Sequence, residues 1–451
     1  MTVAIVGGGL AGMVTAFELA SRGVSCTLYE QDDILGGFAK SRGQDTTFRE
    51  HSWRAFGDFY KNTQDLCRRL AVSWPTRKTH LTSIPPTSFA PNLYDVRMLL
   101  YILWGLFTPY DNARSWYLMN QKVSPAARIF LGRFNKAGSD YKTIPYGTLV
   151  RIAELCISGL STTFRVSPKP ISEYLIEPLH QRLLDIGVTV RTKNKVASLH
   201  TQTIGADIVV AAIPPYAYAT LADDGIYPGI KAYFRTMTRE TQQQEVGFTI
   251  VLDSRSQWIS RTTIDLHESA WGILLMPADL FYDDLQWTVS LWNGTCTYMS
   301  GTDVHGRSPL QCTPEQFRSS VLEQCSTLVS MYGVTVAKVD IWDDFYHGEN
   351  ALLHSDAIMP VNSCKETQMR IPAGTEIGPN VFISGAHTGT STDVWLMEAA
   401  IEAGKITAQR VLDRLHTKAE PVHVYTHIRP RKNLLALIIT ALLVSLSRTT
   451  S

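Results

Sequence analysis

The chain has 451 residues, 45% of them hydrophobic and 18% charged, with 42 basic side chains against 41 acidic. That length suits two or three domains, each able to bury a core, and a net charge of +1 leaves no excess of cations to track a phosphate backbone, which excludes nucleic acid as the expected partner. With 30 Gly, 21 Pro and 10% aromatic residues the composition is that of a globular protein and excludes collagen, coiled coil and disorder.

The first element is a short apolar strand over residues 3–6, which lacks the basic flank of a signal peptide and runs directly into Gly7-x-Gly9-x-x-Gly12. A helical stretch follows, with Val14, Phe17, Leu19 and Ala20 as its apolar positions. Gly23 ends it, and a second strand over 24–29 closes on Glu30. This is the arrangement of a dinucleotide-binding turn. Gly7 permits the tight turn, Gly9 lets the backbone approach a pyrophosphate, and Gly12 lets helix and strand pack closely. The phosphates then face the helix N-terminus at Leu10 and Ala11, where N–H groups and the positive dipole end converge. Glu30, 18 residues past Gly12, is placed to accept hydrogen bonds from ribose hydroxyls.

Three segments carry a resemblance. Gly36-Gly37-Phe38-Ala39-Lys40-Ser41 is similar to the G-G-R-x-x-S/T segment of the flavin amine oxidase and phytoene desaturase superfamily, with Phe38 where the family has Arg and Lys40 as the nearest basic residue. Residues 187–215 resemble the family's middle segment, which implies that Val196, on a strand, meets the adenine through its backbone. Residues 380–404, Asn-Val-Phe-Ile-Ser-Gly385-Ala-His387-Thr and then Met397-Glu-Ala-Ala-Ile-Glu-Ala-Gly404, resemble the closing motif, a strand, a glycine turn and a long helix aimed at the flavin. Thr392 or Asp393 is expected to cap that helix, which should run to about Leu415. The resemblance implies non-covalent FAD, with Gly37, Lys40, Gly385, His387 and Met397 joining the glycine turn and Glu30 in holding it. It further implies an α/β fold: a Rossmann-like FAD-binding domain from 1–57, 165–225 and 372–416, and a discontinuous α+β substrate domain from 58–164 and 226–371.

The first insert reads as helices over 59–70, 94–107, 112–121 and 148–160, broken by Pro85-Pro86, Pro109 and Pro145. The second reads as strands over 246–252, 272–276 and 287–292, then a helix over 313–329 with Thr313 as its cap and Pro314 at its first position. Residues 98–107 are uncharged on every face of a helix, as in a buried helix or a wall for a greasy substrate. Residues 417–432 read as a polar linker. The tail 433–451 contains a largely apolar run of thirteen residues, 434–446, between Arg431-Lys432 and Arg448. As a helix it would rise about 20 Å, short of a bilayer core of roughly 30 Å, so it reads either as a shallow membrane anchor or as a last docked helix.

The segment Arg49-Glu-His51-Ser-Trp53-Arg54-Ala-Phe56 follows the first FAD segment, and in the resembling fold the chain here passes the flavin. His51 and Arg54 are therefore the candidates beside the reacting ring, with an interdomain seam as the plain alternative. The expected reaction is FAD-dependent oxidoreduction, with two electrons leaving a C–H bond as hydride. The substrate is a small molecule, either isoprenoid- or polyene-like and apolar, or an amine for which Trp342, Tyr346 or Trp395 would build an aromatic cage. A non-catalytic FAD-containing binding module and a nicotinamide-dependent dehydrogenase are the alternatives. Residues 359–363 look more like desaturase-type relatives than monoamine oxidases. The seven cysteines show no C-x-x-C pair, so no metal site is expected, and they suit an intracellular, reducing compartment.

Overall fold

Both faces of the first strand are apolar because both are covered. In the computed structural model, β1 (Thr2–Val6) turns Val3 and Ile5 into one hydrophobic cluster and Ala4 and Val6 into another on the opposite side of a sheet. The structure describes residues 1–52, 54–83, 164–221, 246–255, 262–266, 268–282, 287–296, 301–342 and 370–427, together with 93–96, 100, 151, 154–155, 229–230 and 232–234.

In chain order, β1 is followed by α1 (Leu10–Ala20), β2 (Ser25–Tyr29), the hairpin β3 (Ser41–Arg42) and β4 (Arg49–Glu50), β5 (Phe56–Gly57), α2 (Lys61–Arg69), β6 (Arg77–Ser83) and β7 (Phe164–Val166). Then come α3 (Glu177–Asp185), β8 (Thr189–Arg191), β9 (Ile208–Ala211), β10 (Val246–Leu252), β11 (Thr262–Leu266), β12 (Ile273–Pro277) and β13 (Leu291–Cys296). The last elements are α4 (Pro314–Gln324), α5 (Ser326–Tyr332), β14 (Val336–Ile341), β15 (Glu376–Gly378), β16 (Val381–Ile383) and α6 (Met397–Arg414).

Two sheets organise these elements. The first has the order β15-β16-β9-β1-β2-β8, parallel throughout except for β15 at its edge. Its chain order reverses between β1 and β9, the crevice where open α/β sheets bind ligands. Helices α1, α3 and α6 share a cluster on one face, and Leu199, Tyr218 and Phe234 cover the other. The second sheet has the order β14-β10-β13-β12-β11-β6-β7-β5. One of its faces packs Phe248, Ile250, Leu275 and Trp292 on Phe317, Val321 and Leu328 of α4 and α5. The other is pressed on the hairpin: a side chain at Gly247 would overlap the His51 carbonyl.

Some expectations shift by a few residues. The helix expected over 313–329 is two, broken at Cys325, although Thr313 caps it from Gln316 N at 3.4 Å and Pro314 stands at its start. The strand expected over 287–292 begins only at Leu291. Val196 lies in a loop beyond β8, half-buried, because the middle segment leaves the sheet at Arg191. The helices expected over 94–107, 112–121 and 148–160, with Trp53, Tyr346, the 98–107 run, residues 359–363 and the tail, lie wholly or mostly outside the described residues. Among the described residues no helix is long and apolar enough to cross a membrane.

Candidate active site

The glycine turn after β1 is built by close approach. Gly7 has φ 106°, a conformation open to glycine, and a Cβ there would overlap the carbonyl of Ala212 beyond β9. A Cβ at Gly12 would overlap the Gly7 carbonyl. Helix α1 starts at extended Gly9 with no side-chain cap, so the N–H groups of Leu10, Ala11 and Gly12 have no intrahelical acceptor. Gly36 N donates 2.8 Å to Gly8 O, and a Cβ on Gly37 would stand 3.1 Å from Gly9 Cα. Two remote glycine segments thus form one bare backbone cradle. Glu30 lies below it, its Oε2 accepting from Gly8 N at 2.7 Å and its Oε1 from Asp32 N at 2.9 Å. Burial raises its pKa, and those backbone N–H bonds oppose the rise. Lys40 is buried and paired with Asp32, under the Trp342 ring at 5.8 Å. Its charge is met within the chain by Asp32.

The closing turn arrives at the same sheet edge, where Ser384 N donates to Ala211 O at 2.9 Å. Gly385, at φ 143°, is covered by the His387 ring. That ring sits among Tyr218, Phe234 and Trp395 at 5.9, 5.8 and 6.0 Å between centroids. Burial, with Arg370 nearby, lowers the His387 pKa to about 3, so the imidazole is neutral; its Nε2 is buried without a hydrogen-bond partner. Neither expected cap serves α6, whose N-cap is Leu396. The Thr392 hydroxyl instead donates to Glu402 at 2.6 Å, and Asp393 pairs with Arg370. Met397 opens the helix, half-buried. Gly404 lets α6 lie on α1: a Cβ there would come 2.6 Å from Ala11 O.

His51 and Arg54 come together with a residue the motif reading passed over. His51 is fully buried, 4.9 Å from the Phe38 ring, and Arg54 donates to Ser52 Oγ at 3.0 Å and to the Phe38 carbonyl. Between the two sheets lies Glu50, which accepts from Ile171 N (3.3 Å), Tyr282 Oη (3.3 Å) and Asn293 Nδ2 (3.0 Å). Burial lifts its carboxyl to about 7 against the opposing pull of Arg54. Glu50 adjoins His51 in sequence, and a charged residue inside an aromatic segment was the available signal. Its partners are more than a hundred residues away, and nothing local reveals them. The cage candidates separate: Trp342 lies by Lys40, Trp395 by His387.

A profile of NAD(P)-binding Rossmann-like domains matches residues 5–70. No curated protein sequence matches the chain significantly. Among solved structures, putrescine oxidase with bound putrescine superposes with a TM-score of 0.63 at 14% identity, covering 92% of this chain and 100% of its own. Cyclohexylamine oxidase from Brevibacterium oxydans IH-35A gives 0.63 at 14% identity over 92% and 99%. The chain shares the fold of these two oxidases. An oxidoreductase from Methanosarcina mazei matches with a TM-score of 0.60 at 14% identity, covering 92% and 100%. Coverage this complete extends the shared fold over the second sheet as well as the dinucleotide turn.

Proposed function

We propose that the protein is an FAD-dependent oxidoreductase that takes two electrons, as hydride, from a C–H bond of a small apolar or amine substrate. The observation that carries this reading is the meeting of three remote segments, the glycine turn after β1, the Gly36–Gly37 pair and the Ser384–His387 turn, at the carboxyl ends of the parallel strands of one sheet. A nicotinamide enzyme would need only the first. The cradle fits the cofactor: a Cβ would fill it at Gly9 or Gly37, and His387 Nε2 is a buried polar atom without a partner.

FAD, when bound, supplies the hydride acceptor. The chain's own groups do the rest. The N–H groups of Leu10, Ala11 and Gly12 would hold the pyrophosphate, and Glu30 would use the lone pair left on each oxygen for ribose hydroxyls. Glu50 and His51, buried against the second sheet with half-buried Arg54 beside them, hold polar groups where water is excluded. Association of the 433–451 tail with a membrane belongs to the same proposal.

The purified protein should be yellow and bind FAD in titration calorimetry. Anaerobic addition of an amine panel or a lipid extract should bleach it. Colourless, folded protein that refuses FAD would overturn the reading.

A further inference from the structure

The two faces of the second sheet differ in chemistry. Successive side chains on a strand alternate between faces, and the register places Thr249 of β10 opposite Asn293 of β13, with Gly247 opposite Thr295. On β12, Met276 pairs with Asn293 and Leu274 with Thr295. Gly247, Thr249, Asn293, Thr295, Leu274 and Met276 therefore share one face, the face pressed on Glu50 and His51. Thr249, Asn293 and Thr295 are each at most 1% exposed. Yet among the described residues Thr249 Oγ1, Asn293 Oδ1 and Thr295 Oγ1 have no hydrogen-bond partner.

Buried polar atoms are nearly always paired, so three adjoining exceptions call for a partner that the described residues do not supply. Asn293 fixes what is missing. Its Nδ2 donates to Glu50 at 3.0 Å, so Oδ1 is the atom left to the patch, and it only accepts. The two hydroxyls beside it can each donate or accept. Asp340, across from Thr249 on β14, has its charge met by Lys338 at 2.7 Å, although its Oδ2 also makes no hydrogen bond among the described residues. Leu274 and Met276 supply apolar surface for a carbon skeleton.

We propose that Thr249, Asn293 and Thr295 form the substrate-recognition patch, and that it takes a head group bearing an O–H or N–H donor, an alcohol or an amine, in place of an unbroken hydrocarbon. The donor meets Asn293 Oδ1, and the hydroxyls of Thr249 and Thr295 complete its hydrogen bonds. This rests on the oxidoreductase reading for the word substrate, but the patch is tested separately.

The test uses the full-length protein, the near-isosteric substitutions Thr249→Val and Thr295→Val, and their double variant. Three probes of like size serve: cyclohexylamine, cyclohexanol and methylcyclohexane. A hydroxyl without a partner loses no bond when replaced by a methyl group, so melting temperature and flavin content should stay the same or rise. Binding of the amine and the alcohol should weaken at least tenfold in the double variant, and binding of methylcyclohexane should not weaken. Equal effects on all three probes, no effect on any, or no binding by the unsubstituted protein would overturn the proposal. So would a lower melting temperature, which would show the hydroxyls bonded to structural water. Colourless protein that still discriminates the probes sinks the redox reading and keeps the patch. Yellow protein indifferent to them does the reverse.

Discussion

Glu50 and His387 are buried ionisable side chains whose pKa values move so that each favours its neutral form, and their effects on stability run in opposite directions with pH. Glu50 is raised from 4.5 to about 7, so between those values the folded state holds the proton more tightly and stability falls as pH rises. His387 is lowered from 6.5 to about 3, so the unfolded state holds the proton more tightly and stability falls as pH drops below 6.5. Between pH 4.5 and 6.5 the two oppose each other in the natural chain. Glu50→Gln removes one of them: the stability of the natural protein minus that of the variant should decline by about 3 kcal/mol from pH 4.5 to 7. The corresponding difference for His387→Phe should rise from pH 3 to 6.5. Urea unfolding across that range checks both, and a flat difference curve for either variant means that its side chain is not buried as described. The glycines were legible at this scale because their role depends on a missing side chain and a local turn. Glu50 was not, because its three partners, Ile171, Tyr282 and Asn293, come from distant parts of the chain.

Helix α6 shows what local pattern reading can and cannot recover. Its buried face carries Glu398, Glu402 and Lys405, each fully or almost fully enclosed, where an amphipathic pattern expects apolar residues. Glu398 reaches across to the first turn of α2, accepting from Asn62 N at 2.8 Å, Thr63 N at 2.9 Å and Thr63 Oγ1 at 2.7 Å. It supplies from a neighbouring helix the cap that α2 lacks in its own sequence, and a carboxylate at that end also suits the dipole. Lys405 pairs with Asp65 of α2 at 2.6 Å. The expected cap at Thr392 failed for a related reason: its hydroxyl is drawn to Glu402 inside α6, and the helix begins only at Met397, with Leu396 in the cap position. The helix was visible in sequence through the resemblance of residues 380–404 to a closing motif, whereas its start depends on tertiary carboxylates. Glu398→Ala should cost on the order of 3 kcal/mol, since it strips charged acceptors from several buried donors. Lys405→Met alone should cost more than Lys405→Met with Asp65→Asn, because the single change leaves a buried carboxylate with less compensation. Chemical denaturation of the four proteins measures this, and strict additivity would refute the pairing.

For the whole molecule, the segment expected to be a spacer is a strap. Residues 417–427 contain no helix or strand, yet Arg22 donates to the carbonyls of Glu420 and Pro421 at 2.6 and 3.1 Å, and Val422 N donates to Gln409 at 2.7 Å. Asn62 of α2 exchanges hydrogen bonds with the Tyr425 backbone, at 2.9 and 3.0 Å. His427 closes the run, its N–H on Ser391 Oγ at 2.8 Å, its ring 3.3 Å from Glu398 and its carbonyl accepting from Arg151. The composition of this stretch is polar, which is why it reads as linker; its order comes from side chains of α1, α2 and α6 that meet only once the domain is folded. Two truncations separate strap from tail. A chain ending at 427 keeps all of these contacts and should melt with the full-length protein. A chain ending at 416 loses buried Val422 and the partners of Asn62 and Glu398, and should be less stable by on the order of 4 kcal/mol. Removing 430–451 should carry the protein from the membrane fraction to the soluble one without changing its melting temperature, because the strap still anchors the chain end. Unchanged fractionation would eliminate the tail as a membrane anchor, and equal stability of the 416 and 427 chains would show that the strap contributes nothing to the fold.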